Sequence, residues 1–222
     1  MCFSATGSFA AAGLLAAIGA TSLAHGVGRP ARMVAAVPLL FSVQQAAEGV
    51  VWLTIDQRPP GLVARVAVMV FLGFALVVWP AWLPASLRLM EQDPQRRRLL
   101  GVLSGAGAVM SAVAAVLLVV VRPAAHVSGH HIAYDFAVGL PRESVVPLLC
   151  YLVPTAGPFF VSTRGLARLI GAILVAALVV TLVVARTALT SVWCFFAALL
   201  SALILAMVVR APGRLSWLSR AP

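Results

Sequence analysis

The feature that most constrains this chain is a carboxyl group in the middle of a long apolar segment. In FSVQQAAEGVVWL (residues 41–53), Glu48 is surrounded by side chains that otherwise suit a membrane interior. A charge at the centre of a spanning helix costs about 2.5–3.5 kcal/mol to insert, so such a residue needs polar neighbours and by default marks a functional site. Helical spacing supplies these neighbours, because Gln44, Gln45 and Trp52 lie three or four residues away and share its helix face.

The remaining sequence has the composition of a membrane protein. Of its 222 residues, 62% are hydrophobic and only 10% are charged, which excludes an ordinary soluble domain. Seven apolar runs, most of them about 20 residues long, predict an all-α fold with seven transmembrane helices in one domain, residues 1–222. The predicted spans are residues 8–24, 33–55, 61–83, 99–121, 144–161, 166–185 and 189–209.

The arginines predict the orientation of these spans. All basic residues are arginine, and the absence of lysine excludes Schiff-base chemistry. Placing the N-terminus outside and the C-terminus in the cytoplasm puts eleven arginines inside and five outside, as the positive-inside rule requires. Because the arginines lie between apolar runs, we expect contacts with lipid headgroups of the bilayer and no nucleic-acid partner.

This topology brings metal-ligating residue types into the outer half of the bundle. Thiolate, imidazole and carboxylate ligands together suit zinc or copper. The candidate metal ligands are Cys2, His130, His131 and Cys194, and the candidate catalytic residue is Glu48. The candidate supporting residues are Ser4, Gln44, Gln45, Trp52, Tyr134, Cys150, Tyr151 and Trp193.

Several of these residues admit more than one interpretation. Cys2 could supply a thiolate and an α-amine to a metal, could form a disulfide with Cys194, or could simply belong to the cap of the first helix. We expect His130 and His131 to lie in a loop, either as metal ligands or as a hydrogen-bonded or proton-handling pair. Three prolines in residues 144–161 predict an interrupted helix, and WPAWLP (residues 79–84) is typical of a membrane interface.

Five motifs in this order resemble a known family. The motifs are MCFSATGSF, PLLFSVQQAAEGVVW, WPAWLP, SGHHIAY and SVWCFFAALLS. They resemble an uncharacterised family of bacterial multi-pass membrane proteins that begin with MCFSA and form a domain of unknown function. The resemblance covers nearly the whole chain and implies a bacterial cytoplasmic (inner) membrane location. It supplies no activity, substrate or cofactor.

Three functions therefore compete at this stage. The first is an outward-facing metal site, with zinc or copper, in a hydrolase acting on a lipid-like substrate, in which Glu48 is a metal ligand or the general base. The second is a proton-coupled transporter in which Glu48 carries the proton. The third is a non-catalytic accessory or sensor subunit that associates with a membrane-protein partner or with copies of itself.

Overall fold

The computed structural model describes residues 4–25, 28–129, 131–135, 146–184 and 200–206. The first half of the chain forms α1 (Ala5–Ala24), a 3-10 turn (Arg29–Ala31), α2 (Arg32–Ala35), α3 (Val37–Thr54), α4 (Leu62–Gly73), a π-helical turn (Phe74–Val78), α5 (Trp79–Met90) and α6 (Pro94–Val121). The second half contains β1 (Ala124–Ser128), β2 (His131–Asp135), α7 (Val146–Val161) and α8 (Gly165–Val184), and residues 200–206 are also helical.

Helix α3 is the central helix of the bundle. Most of it is buried, whereas the other membrane-length helices leave most of their surface exposed. Helix α1 runs against it at close range, because a Cβ atom at Gly19 would lie 2.8 Å from the backbone nitrogen of Leu39. The hydroxyl of Ser42 in α3 also donates to the carbonyl of Ala12 in α1, at 2.8 Å. Small residues thus let the two backbones approach, as in other membrane helix pairs.

Helices α4 and α5 form one continuous rod with a π-helical turn between them. The amide of Trp79 donates to the carbonyl of Phe74, five residues back. Pro80, which follows, has no N–H for the regular α-helical ladder. The rod continues through the second proline, Pro84, to Met90, so WPAWLP lies inside a helix and Trp79 is buried. The sequence-based placement of this motif at a membrane interface stays a prediction.

Helix α6 packs on this rod through two small residues. A Cβ atom at Gly107 would overlap the carbonyl oxygen of Pro80, and it would lie 2.8 Å from the carbonyl carbon. That carbonyl has no donor four residues on, because residue 84 is also a proline. One turn further, the hydroxyl of Ser111 donates to the carbonyl of Val77 at 2.6 Å. The irregular backbone of the rod is therefore covered by the part of α6 that has the smallest side chains.

A β-hairpin follows α6 where the sequence predicted only a loop. Strands β1 and β2 pair antiparallel around Gly129, which has a φ of 63°. Ile132 is buried against α3 and α4, and the ring of Tyr134 stacks on that of Phe71 with centroids 5.1 Å apart. We call this end of the bundle, where α3 ends and α4 begins, the hairpin end.

The sequence-based expectations for the fold are partly confirmed. The described chain is mainly helical, and four helices in it are long and apolar enough to cross a membrane: Ala5–Ala24, Arg32–Thr54, Leu62–Met90 and Pro94–Val121. The hairpin departs from the all-α expectation. Helix α7 is continuous through Pro154 and Pro158, so the expected interruption of the fifth span is wrong. Seven spans and the sidedness of the termini stay predictions.

The opposite end of the bundle is held together by Glu91. Its carboxylate joins the α5–α6 connection to the α7–α8 connection by accepting from the amide of Thr163 at 2.9 Å and from the hydroxyl of Thr163 at 3.0 Å. It also accepts from the amides of Gln92 and Asp93, at 3.0 and 3.2 Å. Burial alone raises the pKa of Glu91, but these hydrogen bonds outweigh burial and leave the pKa below its ordinary value.

The glycine contact between α5 and α6 predicts a position-specific effect of one methyl group. We expect Gly107→Ala to lower the free energy of unfolding by roughly 1–3 kcal/mol, because the helices must separate. Gly105→Ala is the matched control, since a Cβ atom there has no neighbour within 4 Å and alanine favours a helix. Thermal unfolding of the detergent-solubilised variants measures both effects, and equal midpoints for the two variants would contradict the packing described.

The lowered pKa of Glu91 predicts acid sensitivity. The stabilisation is complete above the unfolded-state pKa and is lost as the pH falls through the lower folded-state pKa. We therefore expect the unfolding midpoint of the wild type to fall more steeply than that of Glu91→Gln between about pH 5 and about pH 3. At neutral pH this variant should be less stable by about 1–3 kcal/mol. Asp56→Asn, at an exposed carboxyl, should keep the wild-type profile.

Candidate functional site

Glu48 is buried on α3, and its carboxylate accepts hydrogen bonds from neutral side chains of α1 and α3. The side chain is 1% exposed. Its Oε2 atom accepts from the amide nitrogen of Gln45 at 3.2 Å and from the hydroxyl of Ser8 at 3.4 Å. Gln45 lies one turn before Glu48 on α3, as the sequence spacing indicated, whereas Ser8 comes from the first turn of α1. Tight packing surrounds this contact, because the ring of Phe9 covers Gly49.

Gln44 lies one turn before Glu48 on α3 and is bound by α5. The indole nitrogen of Trp79 donates to Oε1 of Gln44 at 2.7 Å, and both side chains are almost completely buried. The ring of Trp79 stacks on Phe41, one turn before Gln45, with centroids 4.0 Å apart. Helix α3 is thus hydrogen-bonded to α1 through Glu48 and to α5 through Gln44. We call Ser8, Gln44, Gln45, Glu48 and Trp79 the carboxyl–amide cluster.

Two further buried polar atoms lie at the hairpin end. Among the described residues, Nε1 of Trp52 and Nε2 of His131 have no hydrogen-bond partner. Such buried groups are uncommon and call for an explanation. Trp52 and Tyr134 pack in the same apolar cluster, which also includes Ala47, the residue next to Glu48. The hairpin therefore brings the aromatic side chain of Tyr134 to the part of α3 that carries Trp52.

Depth along the helices supports this proximity. Phe71, on which Tyr134 stacks, lies nine residues after the start of α4, which corresponds to about 14 Å at the helical rise per residue. Glu48 lies six residues before the end of α3, or about 9 Å at the same rise. Side chains of β2 therefore reach at least as far into the bundle as Glu48 does.

The other residues that the sequence singled out lie in varied places. Ser4 is the N-cap of α1, where its hydroxyl accepts from the amide of Gly7 at 3.1 Å. Cys150 is exposed, and Tyr151 borders a small cavity of about 30 Å³ beside Trp79. Four expected site residues lie outside the described residues: Cys2, His130, Trp193 and Cys194. Within the described part of the chain, no group of three His, Cys, Asp or Glu side chains converges to form a metal site.

Sequence reasoning missed two members of the cluster, Ser8 and Trp79. Both occur in motifs that were noticed, MCFSATGSF and WPAWLP, but neither has a sequence spacing to Glu48 that predicts contact. One signal pointed to Trp79. A tryptophan in the middle of an apolar helix needs an acceptor for its N–H, and the glutamine side chains in the apolar segment of α3 can supply one. Ser8 had no comparable signal, because serine occurs frequently in close-packed membrane helices.

The fold and the site together define a class of protein. It is a helical protein with several helices of membrane-crossing length, and its central helix carries a buried carboxyl group bound by α1 and a buried amide bound by α5. The chain belongs to DUF6629, a family of unknown function, whose model matches residues 1–217. This finding confirms the resemblance drawn from the sequence motifs. No curated protein and no solved structure matches the chain.

The hydrogen bond between Trp79 and Gln44 can be tested by a double-mutant cycle. We expect Trp79→Phe to cost about 1–3 kcal/mol of unfolding free energy, because it leaves a buried amide oxygen without its indole donor. Combining it with Gln44→Met should recover part of that loss, with a coupling of about 1 kcal/mol. Trp82→Phe is the control, since Trp82 donates to the backbone carbonyl of Met33. Its effect should add to that of Gln44→Met without coupling. Coupling of equal size in both cycles would refute the hydrogen bond between Trp79 and Gln44.

Proposed function

We propose that the chain is a seven-span protein of the bacterial inner membrane, with its N-terminus outside, and that its hairpin end faces outward and binds a transition metal. The surface of the described helices supports membrane insertion, because large apolar side chains such as Val120 and Leu62 are 73% and 69% exposed. The arginines that lie between the spans support the orientation.

The observation that carries the metal proposal is the buried imidazole nitrogen of His131. Its Nε2 atom has no hydrogen-bond partner among the described residues, and neutral imidazole nitrogen is a common zinc and copper ligand. A buried ligand atom at the hairpin end suits a site that further residues complete. The proposed ligands are His131, His130, Cys2 and Cys194.

Glu48 has either of two roles in this proposal. It is an additional ligand, or it is the general base beside a zinc ion that keeps one open coordination position. In the second case the metal would supply an activated water at neutral pH, and the protein would be a hydrolase acting on a lipid-like substrate. The bonds from Ser8 and Gln45 to Oε2 would then fix the carboxylate orientation.

A proton-coupled transporter is the second candidate, and one observation favours it. The two hydrogen bonds to Oε2 of Glu48 come from a hydroxyl and an amide, which are neutral groups. A carboxyl in such surroundings can exchange a proton, as intramembrane carboxyls do in pumps and transporters. This candidate predicts pH-dependent flux that is abolished by Glu48→Gln.

Elemental analysis of the purified protein with an unmodified N-terminus tests the metal proposal. We expect about one zinc or copper ion per chain, with most of it lost in His131→Ala and in Cys2→Ala. His126→Ala is the matched control, because His126 lies on the same hairpin but is 43% exposed and pairs with Asp135 at 3.0 Å. It should keep the wild-type metal content. Absence of metal from the wild type, or its retention in both ligand variants, would leave transport or an accessory role as the function.

A further inference from the structure

A groove opens at the hairpin end between α3, α4, α6 and β1. Its volume is about 580 Å³, within the range of roughly 300–1,000 Å³ that is usual for small-molecule sites. The walls are mostly apolar, with Val51 from α3, Val68 from α4, Val119 from α6 and Ala125 from β1. The one hydroxyl in this lining, that of Thr54, already donates to the carbonyl of Val50 at 2.8 Å.

Two arginines supply the charge of this groove. Arg65 in the first turn of α4 and Arg122 at the end of α6 both line it, and both are exposed. Within the described part of the chain, the side-chain ion pair joins His126 to Asp135 and involves neither arginine. The groove therefore presents two guanidinium groups next to apolar walls, and neither forms an ion pair with a described carboxylate.

The backbone at Arg122 is a second, independent sign that its side chain matters. Helix α6 ends at this residue with a φ of 49°, in the left-handed region, where glycine or asparagine is usual. The amide of Arg122 still donates to the carbonyl of Leu118, so the turn is a regular helix end in which only the residue type is unfavourable. Strain kept at such a position is a reason to look for a function of the residue.

We propose that this groove binds an anionic phospholipid, with one acyl chain against the apolar walls and the phosphate held by Arg65 and Arg122. Guanidinium groups match the geometry of phosphate oxygens and carry their charge at all physiological pH values. The rim of the groove adjoins strongly exposed apolar side chains, among them Leu62, Val66 and Val120. An amphiphile can thus enter from the surrounding acyl phase without crossing a polar surface.

The position of the groove connects it to the carboxyl–amide cluster. Val51, which lines the groove, follows Glu48 by three residues on α3, so the two residues share a helix face. A lipid in the groove would therefore lie along the helix that carries Glu48. The inference does not depend on a metal at the hairpin end, and it goes beyond the function proposed above.

Native mass spectrometry of the detergent-solubilised full chain tests the proposal with two lipids of identical acyl chains. The wild type should bind phosphatidylglycerol in preference to phosphatidylcholine. Arg65→Gln and Arg122→Gly should each reduce phosphatidylglycerol binding roughly fivefold, and binding of phosphatidylcholine should stay unchanged. Arg122→Gly also relieves the backbone strain, so its unfolding temperature should not fall.

Two controls separate this site from general lipid contact. Arg58→Gln removes an exposed arginine of the α3–α4 connection that does not line the groove, and it should keep wild-type binding. Ala64→Phe fills the groove beside Arg65 and should reduce binding of both lipids. Equal binding of the two lipids by the wild type, or equal loss in Arg58→Gln and Arg65→Gln, would overturn the proposal. The metal content of the arginine variants should equal that of the wild type, so failure here is distinguishable from failure of the metal site.

Discussion

The structure depends on how a carboxyl group is satisfied inside a helix bundle. In a helix the backbone amides are already bonded to carbonyls four residues back, so they cannot serve a buried side chain. Glu48 therefore has to take its donors from side chains, one on its own helix and one on α1. Ser8 lies opposite Glu48, where the small residues of α1 let the two helices approach closely.

Glu91 shows the opposite solution at the other end of the bundle. It lies in a connection between helices, where amides are available, and it accepts from three of them and from one hydroxyl. Those bonds lower the pKa of Glu91 and keep it ionised at neutral pH as a carboxylate that joins two loops. Both carboxyl groups are buried, but they lie in different surroundings, Glu48 inside a helix bundle and Glu91 in a connection. We therefore regard Glu91 as structural.

The sequence predicted the local part of this arrangement and not the long-range part. Helical periodicity correctly placed Gln45 one turn from Glu48, because contacts three or four residues apart follow from the helix itself. The bonds from Ser8 and Trp79 join residues separated by 40 and 35 positions, and only the packing of α1 and α5 on α3 produces them. The π-helical turn also involves Trp79, because its amide donates to the carbonyl of Phe74 and Pro80 interrupts the regular hydrogen-bond ladder just after it.

The hairpin illustrates why residue types alone did not predict the secondary structure beside the C-terminal end of α3. Histidines beside Gly129 suggested a loop, but the positive φ of that glycine makes a tight turn, and the flanking residues pair as strands. Once paired, β2 alternates its side chains, so Ile132 and Tyr134 face the bundle. Helix α6 ends before β1 at Arg122, which has a positive φ and also lines the groove. The residue that ends α6 thus also supplies charge beside Val51 on the helix of Glu48.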